Sequence, residues 1–316
     1  MKILYCNYLH VDYGMDTLFD GLCRVLGSEN VLDYPRKKSL HGDGSCIFWK
    51  YPCQFEYPDT VSDDEKIEML NKNKFDAIFV GAGGYKDFRV NHRIPTTPKV
   101  EESFNLLKEK SKKIPTYIID YGDDPNINYP LASSLNCRLY FKREYLKAAV
   151  YEPWVTPLSF SYSKKYLDKI RQAPKENNFF LSGAETVSRK PYFEALKKAY
   201  NFVPEGYLYQ KLYSNSLSHS KIGINLKGNG NDTVRYYEIP AHNALLLSQK
   251  LDIVIENEFK DGKTAFFFDS PDEMIEKLDW CLKNDITKIA KSGHAWLRKY
   301  HTTEVRARQV LNKIKL

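Results

Sequence analysis

Short apolar runs separated by helical stretches recur along the whole chain, and that alternation leaves few folds open. It is the pattern of βαβ units building a largely parallel sheet. In the first half the runs fall at residues 2–9 (KILYCNYL), 30–34 (NVLDY), 75–82 (FDAIFVGA), 115–121 (PTYIIDY) and 137–144 (CRLYFKRE), with helical patterns at 16–26, 62–71 and 99–112. A second series follows, with strands expected at 177–184, 221–226, 244–249 and 265–269, and helices at 191–200, 210–218, 236–243, 272–283, 286–300 and 303–314. Between the two series the pattern breaks at 152–163, where Pro153 and Pro157 stand among Trp154, Phe160 and Tyr162 before a helical run at 164–172, and this stretch reads as a linker. Residues 41–58 have no period and read as a surface excursion near a substrate cleft. With 316 residues, about twice the ~150-residue prior for one domain, the chain is expected to form two α/β domains.

No segment approaches the ~18 uninterrupted apolar residues of a membrane span, and Met1 and Lys2 lead into a strand without a signal-peptide layout, so a cytoplasmic protein is expected. The six cysteines (Cys6, Cys23, Cys46, Cys53, Cys137, Cys281) form no C-x-x-C pair, which predicts reduced thiols and neither a disulfide frame nor a zinc site. The net charge of +7 lies in the second half: residues 1–150 hold 21 Lys+Arg against 21 Asp+Glu, leaving 26 against 19 for residues 151–316. Such an excess suits a pocket for a phosphorylated ligand, nucleic-acid contact or an ordinary solvated surface.

Phosphates bind in α/β folds where a strand ends in a loop and the next helix turns its free N–H groups toward the ligand. LSGAETVSRKPYFEAL (181–196) has this form: Gly183 lets the backbone come close, and Arg189 and Lys190 precede a helix opened by Pro191. In GNGNDTVRYYEIPAHNALLLSQ (228–249) a Gly/Asn-rich loop leads into a helix on which Arg235 and Glu238, three apart, share a face. A carboxylate there can accept hydrogen bonds from ribose hydroxyls, while Arg235 and the backbone near His242 and Asn243 neutralise phosphate oxygens. An ordinary turn and an Arg/Glu surface pair are the competing explanations.

From Lys221 to about Ile314 the chain resembles the C-terminal lobe of GT-B glycosyltransferases, especially the spore-maturation CgeB-type branch, in which an Arg-x-x-Glu helix precedes an apolar strand. DGKTAFFFDSPDEMIEKLDWCL (261–282) and SGHAWLRKYHT (292–302) resemble the tail of the same family. The resemblance implies two Rossmann-like domains facing each other across a cleft: an acceptor domain at 1–155, a nucleotide-sugar domain at 156–300, and a final helix, about 301–316, returning to the first. It implies that Glu238 holds the ribose and that Arg235 with Arg189 or Lys190 faces the diphosphate. The Ala241–Asn243 backbone would lie against it, and the leaving group would need no metal. Retaining relatives often carry a Glu-x7-Glu pair, but Gly230 stands where the first Glu would be, so the stereochemical outcome stays open.

The acceptor side should come from loops after strands of the first domain. Residues 9–16 offer His10, Asp12 and Asp16 as candidate bases, 81–85 offer Gly83 and Gly84 for close backbone approach, and DYGDDP (120–125) offers Asp123 and Asp124. The last is also what a plain turn looks like. The GAGGY turn lacks the G-x-G-x-x-G spacing of a dinucleotide site. The expected function is therefore transfer of a sugar from a UDP- or GDP-sugar to the hydroxyl of a glycan or small molecule. Two alternatives are a glycosyltransferase acting on hydroxymethylated bases of viral duplex DNA, with Arg36, Lys37, Lys38, Arg89 and Arg93 as a cationic stripe, and an inactive GT-B scaffold.

Overall fold

The computed structural model describes residues 1–7, 11–43, 52–82, 98–171, 173–204 and 206–314. The chain divides into two compact units, one comprising residues 1–45, 53–159 and 307–316, the other built on residues 160–306.

The first unit is a six-stranded parallel sheet. Its elements in order are β1 (Ile3–Cys6), α1 (Tyr13–Leu26), β2 (Val31–Tyr34), α2 (Asp63–Asn71), β3 (Ala77–Gly81), α3 (Pro98–Lys110), β4 (Thr116–Asp120), α4 (Tyr129–Ser134), β5 (Leu139–Lys142) and β6 (Val155–Pro157). The sheet order is β2-β1-β3-β4-β5-β6. Strands β1 to β4 are buried along their whole length, which explains why they read as unbroken apolar runs with no alternation. Local signals set the helix ends. Ser62 and Glu65 form a reciprocal capping box on α2, and Gly27, at φ 88°, closes α1. One expectation is corrected: part of the stretch read as a linker is β6, hydrogen-bonded in parallel to β5, with Val155 opposite Tyr140. Prolines at 153 and 157 are compatible with this because β6 is a short edge strand. The helix expected at 164–172 is also shorter, a single turn, α5 (Lys164–Leu167).

The second unit holds β7 (Asn177–Phe180), α6 (Lys190–Tyr200), α7 (Gln210–Ser218), β8 (Ser220–Asn225), α8 (Arg235–Ala241), β9 (Leu245–Gln249), β10 (Phe266–Phe268), α9 (Pro271–Lys283), α10 (Thr287–Tyr300) and α11 (Thr303–Ile314), whose residues beyond Arg306 group with the first unit. Its four strands are parallel in the order β10-β9-β8-β7. Leu196 of α6 and Met274 and Leu278 of α9 form one core cluster with Ile222, Ile224, Leu245 and Leu247 of the sheet. Glycines let other layers approach closely. A methyl on Gly223 would stand 2.6 Å from Ile239 of α8, and one on Gly293 of α10 only 2.5 Å from the carbonyl oxygen of Thr264.

His301, at the end of α10, is fully buried between aromatic rings, stacked on Phe259 at 5.0 Å and edge-on to Tyr237. Its Nε2 lies 2.9 Å from the carbonyl of Asn257 and must donate, so Nδ1, 3.3 Å from the Arg306 guanidinium, must accept. A second proton would meet a cation. Burial first, and Arg306 second, lower the imidazole to about 3. Because the folded value is depressed, an unfolded chain binds the extra proton as pH falls below the ordinary ~6.5, and this group's contribution to stability declines from there toward about 3.

Two measurements check this packing. Gly293→Ala should destabilise the protein by about 1–3 kcal/mol in urea unfolding, since backbone must shift to admit the methyl. The His301 ring resonances should stay at their neutral position from pH 8 down to 5, and a titration centred near 6.5 would contradict the tautomer assigned above.

Candidate functional site

In a parallel sheet every strand delivers its following loop to the same edge, and in the second unit that edge gathers Gly183 after β7, Lys227 and Gly228 after β8, and Asp269 after β10. Two arginines join these loops. Arg235, the first residue of α8, donates from Nη1 to the carbonyl of Ser182 at 2.9 Å and from Nη2 to that of Leu226 at 3.3 Å, so its guanidinium spans the ends of β7 and β8. Among the described residues its buried Nε has no hydrogen-bond partner. Arg189, 8% exposed just ahead of α6, donates to the carbonyls of Lys227 at 2.7 Å and Ala184 at 3.1 Å.

The glycines make room for both cations. A methyl on Gly183 would stand 2.7 Å from Nη1 of Arg235 and 3.4 Å from Nη1 of Arg189, and one on Gly228 3.3 Å from Nη2 of Arg189. Gly183 also has φ 143°, which a side chain rarely tolerates. Beside it opens a cleft of about 390 Å³ lined by Ala184, Phe193, Phe202, Val203 and Gly206.

Glu238, one turn along α8, is 4% exposed. Burial raises its carboxyl to about 7, with Arg235 and the Tyr213 hydroxyl pulling the other way. The Tyr213 hydroxyl is itself buried and faces that carboxyl. Tyr213 was not legible as a site residue, because it lies in α7, outside any motif, and only folding carries it to Glu238. Thr233 and Asn225 brace the loop before α8 by a 2.6 Å hydrogen bond.

Other candidates fall elsewhere. Lys190 is on the exposed surface, 3.9 Å from Glu194 within α6. His242 and Asn243 are corrected. They lie at the C-terminal end of α8, just before β9, at the opposite edge of the sheet from Gly183 and Arg189. The reason is geometric: a seven-residue helix rises about 10 Å, enough to carry its far end across the sheet.

In the first unit, His10, Gly83, Gly84, Arg89 and Arg93 lie outside the described residues. Asp12 caps α1, its Oδ1 accepting from Met15 N–H at 3.0 Å. Asp16 is buried, its Oδ1 2.6 Å from the ammonium of Lys37, and burial pushes its carboxyl up to about 7. Asp123 pairs with Arg143, Asp124 accepts from the Asn126 N–H at 3.0 Å, and Asp120 is fully buried with Lys142 at 2.8 Å, so these carboxylates are engaged with the turn itself and with the end of β5. The cationic stripe is likewise broken up: Arg36 pairs with Asp43 and Asp59, and Lys37 is buried. Asp33, His41 and Asp59 bring possible metal-ligand atoms within 4.8 Å of one another, but the Lys66 ammonium is already there, 3.4 Å from Asp33 and 3.5 Å from Asp59.

Residues 164–312 match a family model described as glycosyl transferase-like. Comparison with curated protein sequences finds no match. Among solved structures, a glycosyltransferase from Rickettsia africae ESF-5 superposes with a TM-score of 0.65 at 12% identity, covering 99% of this chain and 97% of that one. HepE from Anabaena in complex with UDP-glucose gives 0.57 at 11% identity, covering 100% and 99%, and the same protein with UDP and glucose gives 0.58 at 12%, again covering 100% and 99%. The fold is thus the α/β fold of GT-B glycosyltransferases.

Gly183→Ala should cost about 1–2 kcal/mol in urea unfolding through its backbone angle and the displaced Arg235. Gly206→Ala, where an added methyl meets nothing within 4 Å, serves as the control and should leave the midpoint unchanged.

Proposed function

We propose that the protein is a nucleotide-sugar-dependent glycosyltransferase whose second unit binds the donor at the edge marked by Gly183, Arg189, Arg235 and Glu238. The observation that carries this reading is the convergence, inside the segment that matches the glycosyl transferase-like model, of a buried arginine, Arg189, a half-buried one, Arg235, and a buried carboxylate, Glu238, on glycine-lined loops. Buried charges of this kind are costly unless they meet a partner, and a nucleoside diphosphate supplies one for each. The ribose diol gives Glu238 two hydroxyls to accept from. The diphosphate oxygens take the remaining N–H groups of the guanidiniums, which stabilise charge growing on the leaving group. The cleft beside Gly183, where Phe193 and Phe202 stand among Glu185, Glu194 and Lys197, offers the planar base both ring surface and polar partners.

HepE, solved with UDP-glucose, makes a uridine donor the first to test. This charge arrangement gives the leaving diphosphate stabilisation without a metal, and Asp12, half-exposed at the start of α1, is the described residue we assign to acceptor deprotonation. The acceptor is a glycan or a small molecule.

Calorimetric titration with UDP and GDP, followed by transfer and hydrolysis assays over a panel of nucleotide sugars, tests the proposal. UDP should bind, and Glu238→Ala should weaken it roughly 10–100-fold by removing one or two charge-assisted hydrogen bonds, with the fold intact by circular dichroism. Unchanged UDP affinity in Glu238→Ala would remove the assignment of the donor edge. Binding without turnover on any donor would make the protein a nucleotide-sugar-binding scaffold.

A further inference from the structure

At the other edge of the second sheet lies a cavity of about 610 Å³ that the donor reading does not use. Its position follows from the parallel pairing: the cavity is lined by Lys221, at the start of β8, and by Asn243, just before β9, so it sits where strands begin, whereas Gly183 and Lys227 follow strand ends.

Three lysines line it, Lys175, Lys221 and Lys291, against one carboxylate, Asp285. Lys175 is half-buried, and its ammonium donates to the carbonyls of Ser218 at 2.8 Å and His242 at 2.9 Å. Those bonds use two of its three N–H groups, and among the described residues no carboxylate pairs with it. Burial lowers Lys175 to about 8, the mark of a cation lacking a counter-charge. Lys221 reaches only the neutral Asn178 at 3.2 Å.

Helix α10 adds to the positive field. It begins at Thr287 on the cavity wall, its cap position is Ile286, which offers no side-chain acceptor, and Asp285 takes the Thr287 N–H at 2.9 Å and its hydroxyl. The N-terminus of this 14-residue helix therefore lends its dipole to the same space as the three ammoniums. The rest of the wall is mixed: Cys281, Leu282, Ile286 and Ala290 form an apolar stretch, and His242, Asn243, Asn284 and His294 add polar groups.

We propose that this cavity is a second ligand site, for a small molecule with a phosphate or carboxylate head and an apolar body. The head pairs with Lys175 and Lys291 beside the start of α10, and the body lies on the apolar stretch. Lys175, Lys221 and Lys291 select charge, and the apolar stretch adds affinity for a ligand that carries an apolar body over a bare inorganic anion.

The test is calorimetric titration of the full chain with phenyl phosphate, benzoate and inorganic phosphate, each with and without excess UDP. Phenyl phosphate or benzoate should bind more tightly than inorganic phosphate, with an affinity unchanged by UDP, and the tighter of the two identifies the head group. Lys175→Met and, independently, the exposed Lys291→Ala should each weaken that binding about tenfold, the loss of one charge-assisted hydrogen bond. Displacement by UDP, equal affinity for inorganic phosphate and phenyl phosphate, affinity retained in Lys291→Ala, or no binding of any probe would overturn the proposal.

Discussion

The guanidinium of Arg235 bound to the carbonyls of Ser182 and Leu226 is the interaction on which the candidate site rests. Parallel strands leave their last carbonyls at one edge without a strand partner, and a buried carbonyl left unpaired costs on the order of 1–3 kcal/mol. One side chain satisfies two of them, one after β7 and one after β8, and in doing so fixes the start of α8. Glu238 then follows by helical spacing. A lysine could not do this, because a single ammonium on a flexible stem lacks the planar fork that spans two strand ends.

Much of the fold was legible, for a physical reason. Buried parallel strands are continuous apolar runs, and α2 and α9 announce their starts with Ser caps and acidic first turns, so their limits follow from local chemistry. What was missed is decided by tertiary context. β6 has too few residues and too many neighbouring prolines to register as a strand, and it exists because β5 offers it an edge. α4 is one and a half turns long with Pro130 near its start, and Asn128 caps it, a signal easily read as a turn.

The site was legible in part. The glycine and charge pattern at loop-to-helix junctions singled out Gly183, Arg189, Arg235 and Glu238, and the structure brings Gly183 and the two arginines into contact, with Glu238 one turn along α8. His242 and Asn243 were grouped with them by nearness in sequence, which a helix converts into distance. The acidic turns of the first unit failed for another reason: nothing in DYGDDP reveals that Lys142 and Arg143, on the next strand and just beyond it, will claim Asp120 and Asp123. Charge compensation between elements is invisible until the sheet register is known.

The described cysteines carry a practical consequence. Cys6 and Cys23 lie in the first unit and Cys281 in the second, each a free thiol, and burial raises these thiols well above the ordinary value, Cys281 to about 12. Only the thiolate attacks an alkylating reagent, so at neutral pH the native thiols are nearly inert and regain reactivity when their surroundings open. Each unit thus contains its own internal clock: the modification rate at Cys6 or Cys23 counts openings of one, and that at Cys281 counts openings of the other, with no label introduced.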